Sequence, residues 1–270
     1  MSEDNPPHAY RGRLAPTPNG YLHSGHVQTF RTALSRARLN KGSLVLRMDD
    51  LDVQRCTQSY ACACIEDMLM MDLRWDEGPD VGGEYGPYEQ SKRTHLYLET
   101  LEQLLELGFI YPCTKSRKEI QLAGLRDSLG IEFLYPESFR PKSANYSKHK
   151  FPGAVNWRFR AECGKVVKIQ DTKKAEQTFI VGKDLSDFLV WRKDGIAAYE
   201  LATVVDDYYM RITEVVRGED LLRSSARQCL LFDALGWNIP SFQHCPIIFG
   251  KDGQKLSKSS GRLPRLFSSS

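Results

Sequence analysis

Two histidines separated only by Ser-Gly stand near the start of the chain, at the end of RLAPTPNGYLHSGH, residues 13–26. If RGRLA forms the first strand and residues 16–21 form a turn, His23 and His26 open the first helix. A helix start presents unpaired N–H groups and a positive dipole end, which favour anions. Gly25 would let a flat base or a ribose approach the backbone closely. Taken alone, the pattern is more typical of a structural turn with two surface histidines.

A lysine-bearing, glycine-rich loop lies near the other end of the chain, where KLSKS covers residues 255–259. Lys255 and Lys258, with Ser257 between them, could hold a polyphosphate and neutralise a departing pyrophosphate. One preorganised contact of that kind is typically worth about 3–4 kcal/mol of an activation barrier. Taken alone, this motif more often forms a solvated lysine–serine loop with no bound phosphate. The two motifs in one chain together favour a nucleotide-handling active site.

The elements that must position these motifs follow a strand–loop–helix alternation, which is typical of a doubly wound parallel sheet. Apolar spacing predicts helices over VQTFRTALSRARLNKG, YACACIEDMLMMDL, KRTHLYLETLEQLLELG and SSARQCLLFDALG. Strands are predicted over RGRLA, SLVLRM, AAYELATVVDD and HCPIIF. Adjacent Asp206 and Asp207 would then point to opposite faces of a strand. We interpret them as structural rather than as a Mg²⁺-binding pair.

The middle of the chain has a different pattern. SRKEIQLAGLRDSLG opens with Ser116 and Glu119, a capping box, which predicts a helix ending at Gly130. AVNWRFRAECGKVVKIQD alternates like a pair of antiparallel strands. We therefore expect an α/β protein in which residues 1–110 and 179–270 form the halves of one domain. Residues 111–178 would form an inserted α+β subdomain.

Composition excludes some classes of function without selecting one. The 270 residues carry a formal net charge of +3, too small to argue for nucleic acid by itself. The sequence has no apolar run long enough to span a membrane and no signal segment at its start. Seven cysteines without regular spacing favour a reducing cytosol over a disulfide framework. These features predict a cytoplasmic protein with no membrane partner, and nothing in them demands more than a monomer.

The motifs as a set resemble a known family. HSGH resembles the His-Ile-Gly-His signature of class I aminoacyl-tRNA synthetases, and KLSKS resembles their Lys-Met-Ser-Lys-Ser loop. RLAPTPNGYLHSGH, LVLRMDDLD, YEQSKR, AAYELATVVDD, TEVVRGEDLL and HCPIIFGKDGQKLSKS are together similar to the glutamyl-tRNA synthetase branch. The similarity spans almost the whole chain. It implies a Rossmann-type catalytic domain that activates L-glutamate with ATP and passes it to an RNA.

The position of the lysine loop points to one subgroup of that branch. Ordinary glutamyl-tRNA synthetases continue after this loop into a large helical anticodon-binding region, whereas only residues 260–270 follow it here. This pattern resembles the glutamyl-Q tRNA(Asp) synthetases, which transfer activated glutamate to the queuosine of an aspartate tRNA. The expected partner is therefore tRNA(Asp) carrying queuosine, and no anticodon-binding domain is expected.

Many members of the family carry a zinc site, and the corresponding segments are changed in this chain. IYPCTKSRKEI and YPESFR resemble the zinc segments, but Lys115 and Phe139 stand where cysteines are expected. Cys113 and Tyr135 remain as candidate ligands, whereas a closed zinc site needs four. We therefore predict no zinc, and an insertion held by packing alone with Phe139 in the vacated space.

The resemblance also assigns residues to the amino acid. It implies that Arg13 and Arg217 grip the side-chain carboxylate of glutamate, a task that suits planar guanidinium forks. Asp49 stands where the family has a glutamate that meets the α-ammonium, so its side chain is one methylene shorter. Tyr199 would form a wall of the pocket. Contacts from the segment after the first strand would come from Leu14, Ala15, Pro16 and Thr17.

The resemblance assigns a second set of residues to ATP: His23, Gly25, His26, Lys255, Ser257 and Lys258. The α-carboxylate of glutamate would attack the α-phosphate in line. The two histidines and the two lysines would then act as the catalytic residues by stabilising the spreading negative charge. Mg²⁺ would arrive with ATP rather than in a protein cage.

Three other functions are compatible with the motifs. The chain could be the catalytic domain of a glutamyl-tRNA synthetase that charges tRNA(Glu). It could be a decayed homologue that binds RNA or protein without catalysis. The changed zinc pattern and the aspartate at Asp49 support this alternative. It could also be a nucleotidyltransferase acting on another small carboxylate.

Overall fold

The computed structural model describes residues 9–22, 24–142 and 151–247, apart from the side chain of residue 24. In chain order its helices are α1 (Ser24–Leu39), α2 (Gln58–Met70), α3 (Thr94–Glu106), α4 (Arg117–Ala123), α5 (Tyr199–Tyr209) and α6 (Leu222–Leu235). Its strands are β1 (Arg11–Leu14), β2 (Ser43–Leu46), β3 (Ile110–Cys113), β4 (Asn156–Phe159), β5 (Val166–Ile169), β6 (Gln177–Ile180), β7 (Phe188–Trp191), β8 (Glu214–Gly218) and β9 (Ser241–Cys245).

These elements belong to two compact units. The first unit contains the described residues of Met1–Arg93, Tyr209–Leu221 and Pro240–Ser270. The second unit contains those of Thr94–Tyr208 and Leu222–Ile239. Each unit is therefore assembled from separate stretches of chain. The insertion proposed from the sequence, 111–178, falls within the second unit, and its boundaries stay a prediction.

Parallel strand pairs form the framework of the first unit. β1 pairs with β2 and β8 pairs with β9, both in parallel. The backbone N–H of Thr213 donates to the Arg11 carbonyl at 2.9 Å. β1 thus has β2 on one side and the segment leading into β8 on the other. Together with the helices that connect them, these strands confirm the predicted α/β class.

Helix α1 covers these strands through an apolar face. Phe30, Ala33 and Ala37 are buried at helical spacing and pack in one cluster with Leu44 and Leu46 of β2.

The return from α1 to β2 requires a glycine. A Cβ at Gly42 would lie only 2.2 Å from the carbonyl oxygen of Tyr10, so no larger residue fits without a backbone shift. The predicted end of the first helix near this glycine is confirmed.

Antiparallel strands distinguish the second unit. β3, β4 and β7 form one sheet, and β5 pairs with β6. The prediction that the strands of AVNWRFRAECGKVVKIQD pair with each other is wrong, because β4 pairs with β3 and β7 instead. Alternation predicts which face of a strand is buried, as in Trp157 and Phe159 of β4, but it does not identify the neighbouring strand.

Helix α4 begins as predicted and ends earlier. The Ser116 hydroxyl accepts from the Glu119 N–H while the Glu119 carboxylate accepts from the Ser116 N–H, which completes the capping box. The Ser116 backbone, the Lys115 ammonium and the Ser116 hydroxyl lower the pKa of Glu119 to about 2. The helix stops at Ala123 rather than at Gly130. Gly124 lies so near the chain that a Cβ there would be 2.4 Å from the Leu134 carbonyl oxygen.

The segment AAYELATVVDD is a helix, α5, and not the predicted strand. Its valines are β-branched, but the segment is buried within the second unit as a helix, because tertiary context overrides such propensities. Asp206 and Asp207 are both buried on this helix, and the Tyr97 hydroxyl donates to the Asp206 carboxylate at 2.9 Å. The argument from opposite faces of a strand is therefore wrong, and the structural interpretation of the two residues stays a prediction.

Within the described parts of the chain, the structure contains no helix with the length and apolarity needed to cross a membrane.

Candidate functional site

The guanidinium groups of Arg13 and Arg217 are both buried in the first unit. Arg13 on β1 is 5% exposed, and its Nη1 donates to the carbonyl of Val216 at 3.0 Å. Arg217 on β8 is 3% exposed, with its Cζ 5.1 Å from the centre of the Phe242 ring. Because Val216 precedes Arg217 directly, the hydrogen bond brings Arg13 into the same part of the unit. Their joint assignment to a carboxylate stays a prediction.

Asp49 lies just beyond the end of β2 and is fixed by its main chain. Its N–H donates to the Pro16 carbonyl at 2.9 Å, and the N–H of Arg47 donates to the Leu14 carbonyl at 2.8 Å. These bonds continue the pairing of β1 with β2 past both strand ends. The side chain of Asp49 is therefore held close to the segment that follows β1.

The Asp49 carboxylate forms an ion pair that sequence reasoning missed. Arg47 Nε donates to Asp49 Oδ1 at 2.7 Å. Arg47 is fully buried and Asp49 is 7% exposed. Residues two apart on an extended chain point to the same face, so the spacing in RMDD allowed this pair without identifying it.

The segment after β1 presents its residues unequally. Leu14 is wholly buried in the core cluster, so any contact it makes with a ligand would come from its backbone. Pro16 is also buried, Ala15 is half-buried and Thr17 is exposed. The turn is tied to the start of α2 because Thr57, the residue that caps α2, donates its N–H to the Pro18 carbonyl at 3.3 Å.

Helix α1 begins at Ser24, so the part of HSGH that the structure describes, residues 24–26, lies at a helix start as the sequence predicted. The Gly25 carbonyl accepts from the Thr29 hydroxyl at 3.0 Å, and the His26 ring stacks on Phe30 with centroids 6.0 Å apart. The first turn of this helix contains no acidic side chain, so no carboxylate there offsets the positive end of the dipole. This helix start remains suited to an anion.

Four residues assigned to ATP lie outside the described residues: His23, Lys255, Ser257 and Lys258. Their roles stay predictions from the sequence.

A buried carboxylate joins α1 to β8. Glu214 accepts from Arg36 Nε at 2.9 Å and Nη2 at 2.7 Å, and from the Tyr10 hydroxyl at 2.7 Å. Burial and the hydrogen bond to Glu214 raise the pKa of Tyr10. The bond to Glu214 likewise raises the pKa of Arg36. The helix that carries His26 is thereby fixed against the strand that carries Arg217.

Two segments that carry the family resemblance also meet. Asp50 accepts from the Ser91 N–H at 2.8 Å and from the Ser91 hydroxyl at 2.7 Å. The contact ties RMDD, which contains Asp49, to YEQSKR.

Tyr199 lies in the second unit, where it is the first residue of α5 and is 37% exposed. Its assignment to the wall of the amino-acid pocket stays a prediction.

The remnant of the zinc pattern does not offer a metal site. The Cys113 thiol and the Tyr135 hydroxyl lie 3.3 Å apart, and Phe139 packs against the cluster they belong to. Lys115 places its ammonium 4.7 Å from the centre of the Phe139 ring. Nowhere in residues 9–22, 24–142 and 151–247 do three or more His, Cys, Asp or Glu side chains gather as metal ligands. Two weak donors do not fit zinc.

This region is not held by packing alone, which corrects the sequence prediction. Buried Asp187 accepts from Arg140 Nε and Nη2, both at 2.7 Å, and from the Ala161 N–H at 2.9 Å. The Tyr111 hydroxyl also donates to it. Burial and the charge of Asp187 raise the pKa of Tyr111. Because Asp187 was outside the motif, the sequence offered no signal for this network.

Comparison with known families gives a match over most of the chain. Residues 9–264 match the catalytic domain of the class I tRNA synthetases for E and Q.

Curated relatives are of two kinds. A glutamyl-Q tRNA(Asp) synthetase of Symbiobacterium thermophilum is 40% identical over 259 residues, covering 93% of this chain and 79% of the relative. A glutamate–tRNA ligase 2 of Syntrophus aciditrophicus is 39% identical over 259 residues, covering 94% of this chain and 52% of the relative. The chain thus spans about half the length of the second kind of relative.

Among solved structures, a glutamate tRNA ligase from Elizabethkingia meningosepticum in complex with its amino acid is similar, with a TM-score of 0.79 and 29% identity. The alignment covers 93% of this chain and 52% of that one.

Proposed function

Because the chain belongs to the class I aminoacyl-tRNA synthetases of the glutamate and glutamine group, we propose that it activates L-glutamate with ATP and transfers it to tRNA. The observation that carries this proposal is the set of buried charges in the first unit. Arg13 and Arg217 supply two guanidinium groups and Asp49 supplies a carboxylate, all less than a tenth exposed. Such a set complements an amino acid with an acidic side chain.

The proposed recognition follows from charge. The two arginines hold the side-chain carboxylate of glutamate, and Asp49 receives its α-ammonium. The substrate's α-carboxylate then stays available as the nucleophile. This division of contacts would select against neutral and basic side chains, because neither offers a carboxylate to the planar guanidinium forks.

The proposed reaction is an in-line displacement at the α-phosphorus of ATP. An oxygen of the α-carboxylate forms a bond to that phosphorus while the bond to the β-phosphate oxygen breaks, giving glutamyl-adenylate and pyrophosphate. The start of α1, with His26 and His23, stabilises the phosphates, and Lys255 and Lys258 approach them from the C-terminal loop. Mg²⁺ is expected to arrive with ATP, since its phosphates supply the oxygen ligands this ion prefers.

The proposed acceptor is the queuosine of tRNA(Asp). The glutamyl-Q tRNA(Asp) synthetases among the relatives support this choice. The glutamate–tRNA ligases, at similar identity, support tRNA(Glu) as the second candidate. Transfer of radiolabelled glutamate to tRNA pools with and without queuosine decides between them. We expect labelling only of the queuosine-containing pool, whereas labelling of tRNA(Glu) in both pools would establish the second candidate.

Activation itself is tested without RNA. Glutamate-dependent exchange of pyrophosphate into ATP should occur in the folded protein, and Lys258→Ala should slow it while leaving thermal unfolding unchanged. Absence of exchange would favour a non-catalytic homologue. Exchange with another small carboxylate but not with glutamate would favour a nucleotidyltransferase of different specificity.

A further inference from the structure

We propose that Arg47 is a positioning residue for amino-acid recognition, because its guanidinium holds the Asp49 carboxylate in the orientation that meets the substrate's α-ammonium. The inference rests on the proposed function and adds a residue to it. Arg47 would touch no substrate atom and would act through Asp49.

The geometry restricts Asp49 to one orientation. Hydrogen bonds to the carbonyls of Leu14 and Pro16 fix the main chain at Arg47 and Asp49. Only the two side-chain torsions of Asp49 remain, and the 2.7 Å bond from Arg47 Nε to Oδ1 restrains them. With both the main chain and Oδ1 held, the direction of the carboxylate is set before a ligand arrives.

The burial of the Arg47–Asp49 pair is weak evidence that the pair stabilises the fold. The Arg47 side chain is fully buried, and a buried ion pair is often no more stabilising than apolar residues of similar volume. A carboxylate has about four lone-pair positions, so Asp49 can accept from Arg47 and from a second cation together. A fixed carboxylate loses less conformational entropy when it binds that cation.

The shorter side chain makes this restraint more important. Aspartate reaches one methylene less far than the glutamate found here in the family, so it has less freedom to follow the ligand. Its contact with the α-ammonium therefore depends on the direction in which Arg47 holds it. Loss of Arg47 should weaken recognition of the ammonium and spare recognition of the two carboxylates of the substrate.

Glutarate separates these contributions, because it keeps both carboxylates of glutamate and lacks the ammonium. The variants are Arg47→Met, which removes the charge at similar length, and Arg47→Lys, which keeps the charge and removes the guanidinium fork. The measurements are the KM values for L-glutamate and ATP in pyrophosphate exchange, and the inhibition constant of glutarate.

We expect the KM for glutamate to rise about tenfold to a hundredfold in Arg47→Met, the range for losing a hydrogen bond to a charged group. The KM for ATP and the inhibition constant of glutarate should stay within about twofold of wild type, as expected when only ammonium binding is lost. Arg47→Lys should show the same pattern and keeps the test valid if Arg47→Met does not fold.

Arg36→Met is the matched control, since Arg36 also pairs with a buried carboxylate in the first unit and does so through Glu214. It should lower stability while preserving the wild-type ratio of glutamate KM to glutarate inhibition constant.

Two results would overturn the inference: an unchanged KM for glutamate, or equal losses for glutamate and glutarate, which would indicate a general structural role. If the wild-type protein shows no glutamate-dependent pyrophosphate exchange at all, the proposed function is wrong. The inference about Arg47, which rests on that function, is then wrong as well.

Discussion

Arg13 and Arg217 are buried although arginine is among the residue types least often found inside proteins. Taking a guanidinium group out of water is costly unless hydrogen bonds and a counter-charge compensate. Arg13 donates to the backbone of β8, and Arg217 lies over the ring of Phe242. Both contacts orient the guanidinium groups. A planar guanidinium fork matches the geometry of a carboxylate, which is why these two residues carry the proposed specificity.

We expect Arg217→Lys to raise the KM for glutamate by about tenfold or more, because an ammonium cannot form the paired bonds of a planar fork. Glutamate-dependent pyrophosphate exchange measures this change. Arg38→Lys, at a position with a side chain 53% exposed, should leave the KM near the wild-type value. A KM for Arg217→Lys close to wild type would argue against a direct contact with the substrate.

The sequence identified some residues of the candidate site and missed others. Arg13, Asp49 and Arg217 stand in motifs whose chemistry is recognisable, and all three are buried in the first unit. Arg47 was not identified, because its role depends on burial and on one short contact with Asp49. A sequence gives the type and spacing of residues, whereas burial is a property of the folded chain.

At the scale of elements, the position of α1 relative to β8 depends on the charges around Glu214. This carboxylate is 2% exposed and receives hydrogen bonds from Arg36 and Tyr10. α1 presents Gly25 and His26 at its start, more than two turns from Arg36. The contact therefore sets the direction of a helix whose other end is proposed to bind phosphate.

Arg36→Met should lower the free energy of unfolding by about 2–4 kcal/mol, because it leaves the buried Glu214 carboxylate without its partner. The lower part of that range allows for the Arg36 side chain, which is 29% exposed. Denaturant unfolding gives the value. Arg38→Met on the same helix should cost less than about 1 kcal/mol, since its contact with Asp76 is 3.6 Å long and exposed. Similar losses for the two variants would contradict this account.

Element boundaries followed from local signals where such signals exist. The capping box of Ser116 and Glu119 is present, and Gly108 and Gly236 adopt positive φ angles just after α3 and α6. Strand partners are different, because pairing joins distant parts of the chain. The alternation in β4 and β5 gave the buried faces correctly and the pairing incorrectly.

At the scale of the whole molecule, a buried ion pair joins separate stretches of chain in the second unit. Arg140 and Asp187 join a short 3-10 turn, Glu137–Phe139, to the segment before β7, and Tyr111 adds a hydrogen bond from β3. Three separate stretches of chain thus meet at one carboxylate.

We expect a chelator to leave the thermal unfolding midpoint of the purified protein unchanged, because the donor set of Cys113 and Tyr135 is too small for zinc. A chelator that lowers this midpoint would disprove the prediction that the protein binds no zinc.

Asp187→Asn should lower the free energy of unfolding, measured by denaturant unfolding, by about 3–5 kcal/mol, the usual cost of breaking a buried ion pair. Glu137→Gln is the control, since Glu137 pairs with the same Arg140 but is 58% exposed. Its cost should be less than about 1 kcal/mol.

The bond between Arg11 and Thr213 has a consequence for biosynthesis. The two residues are 202 positions apart, so β1 emerges from the ribosome long before its second neighbour. At about 5–20 residues per second, that interval is about 10–40 s. During it one edge of β1 lacks its later neighbour, and an unpaired strand edge is open to pairing with other chains. Translation that stalls before Thr213 also leaves the nascent protein with Arg13 but not Arg217, and hence with one of the two arginines proposed to hold the substrate's side-chain carboxylate.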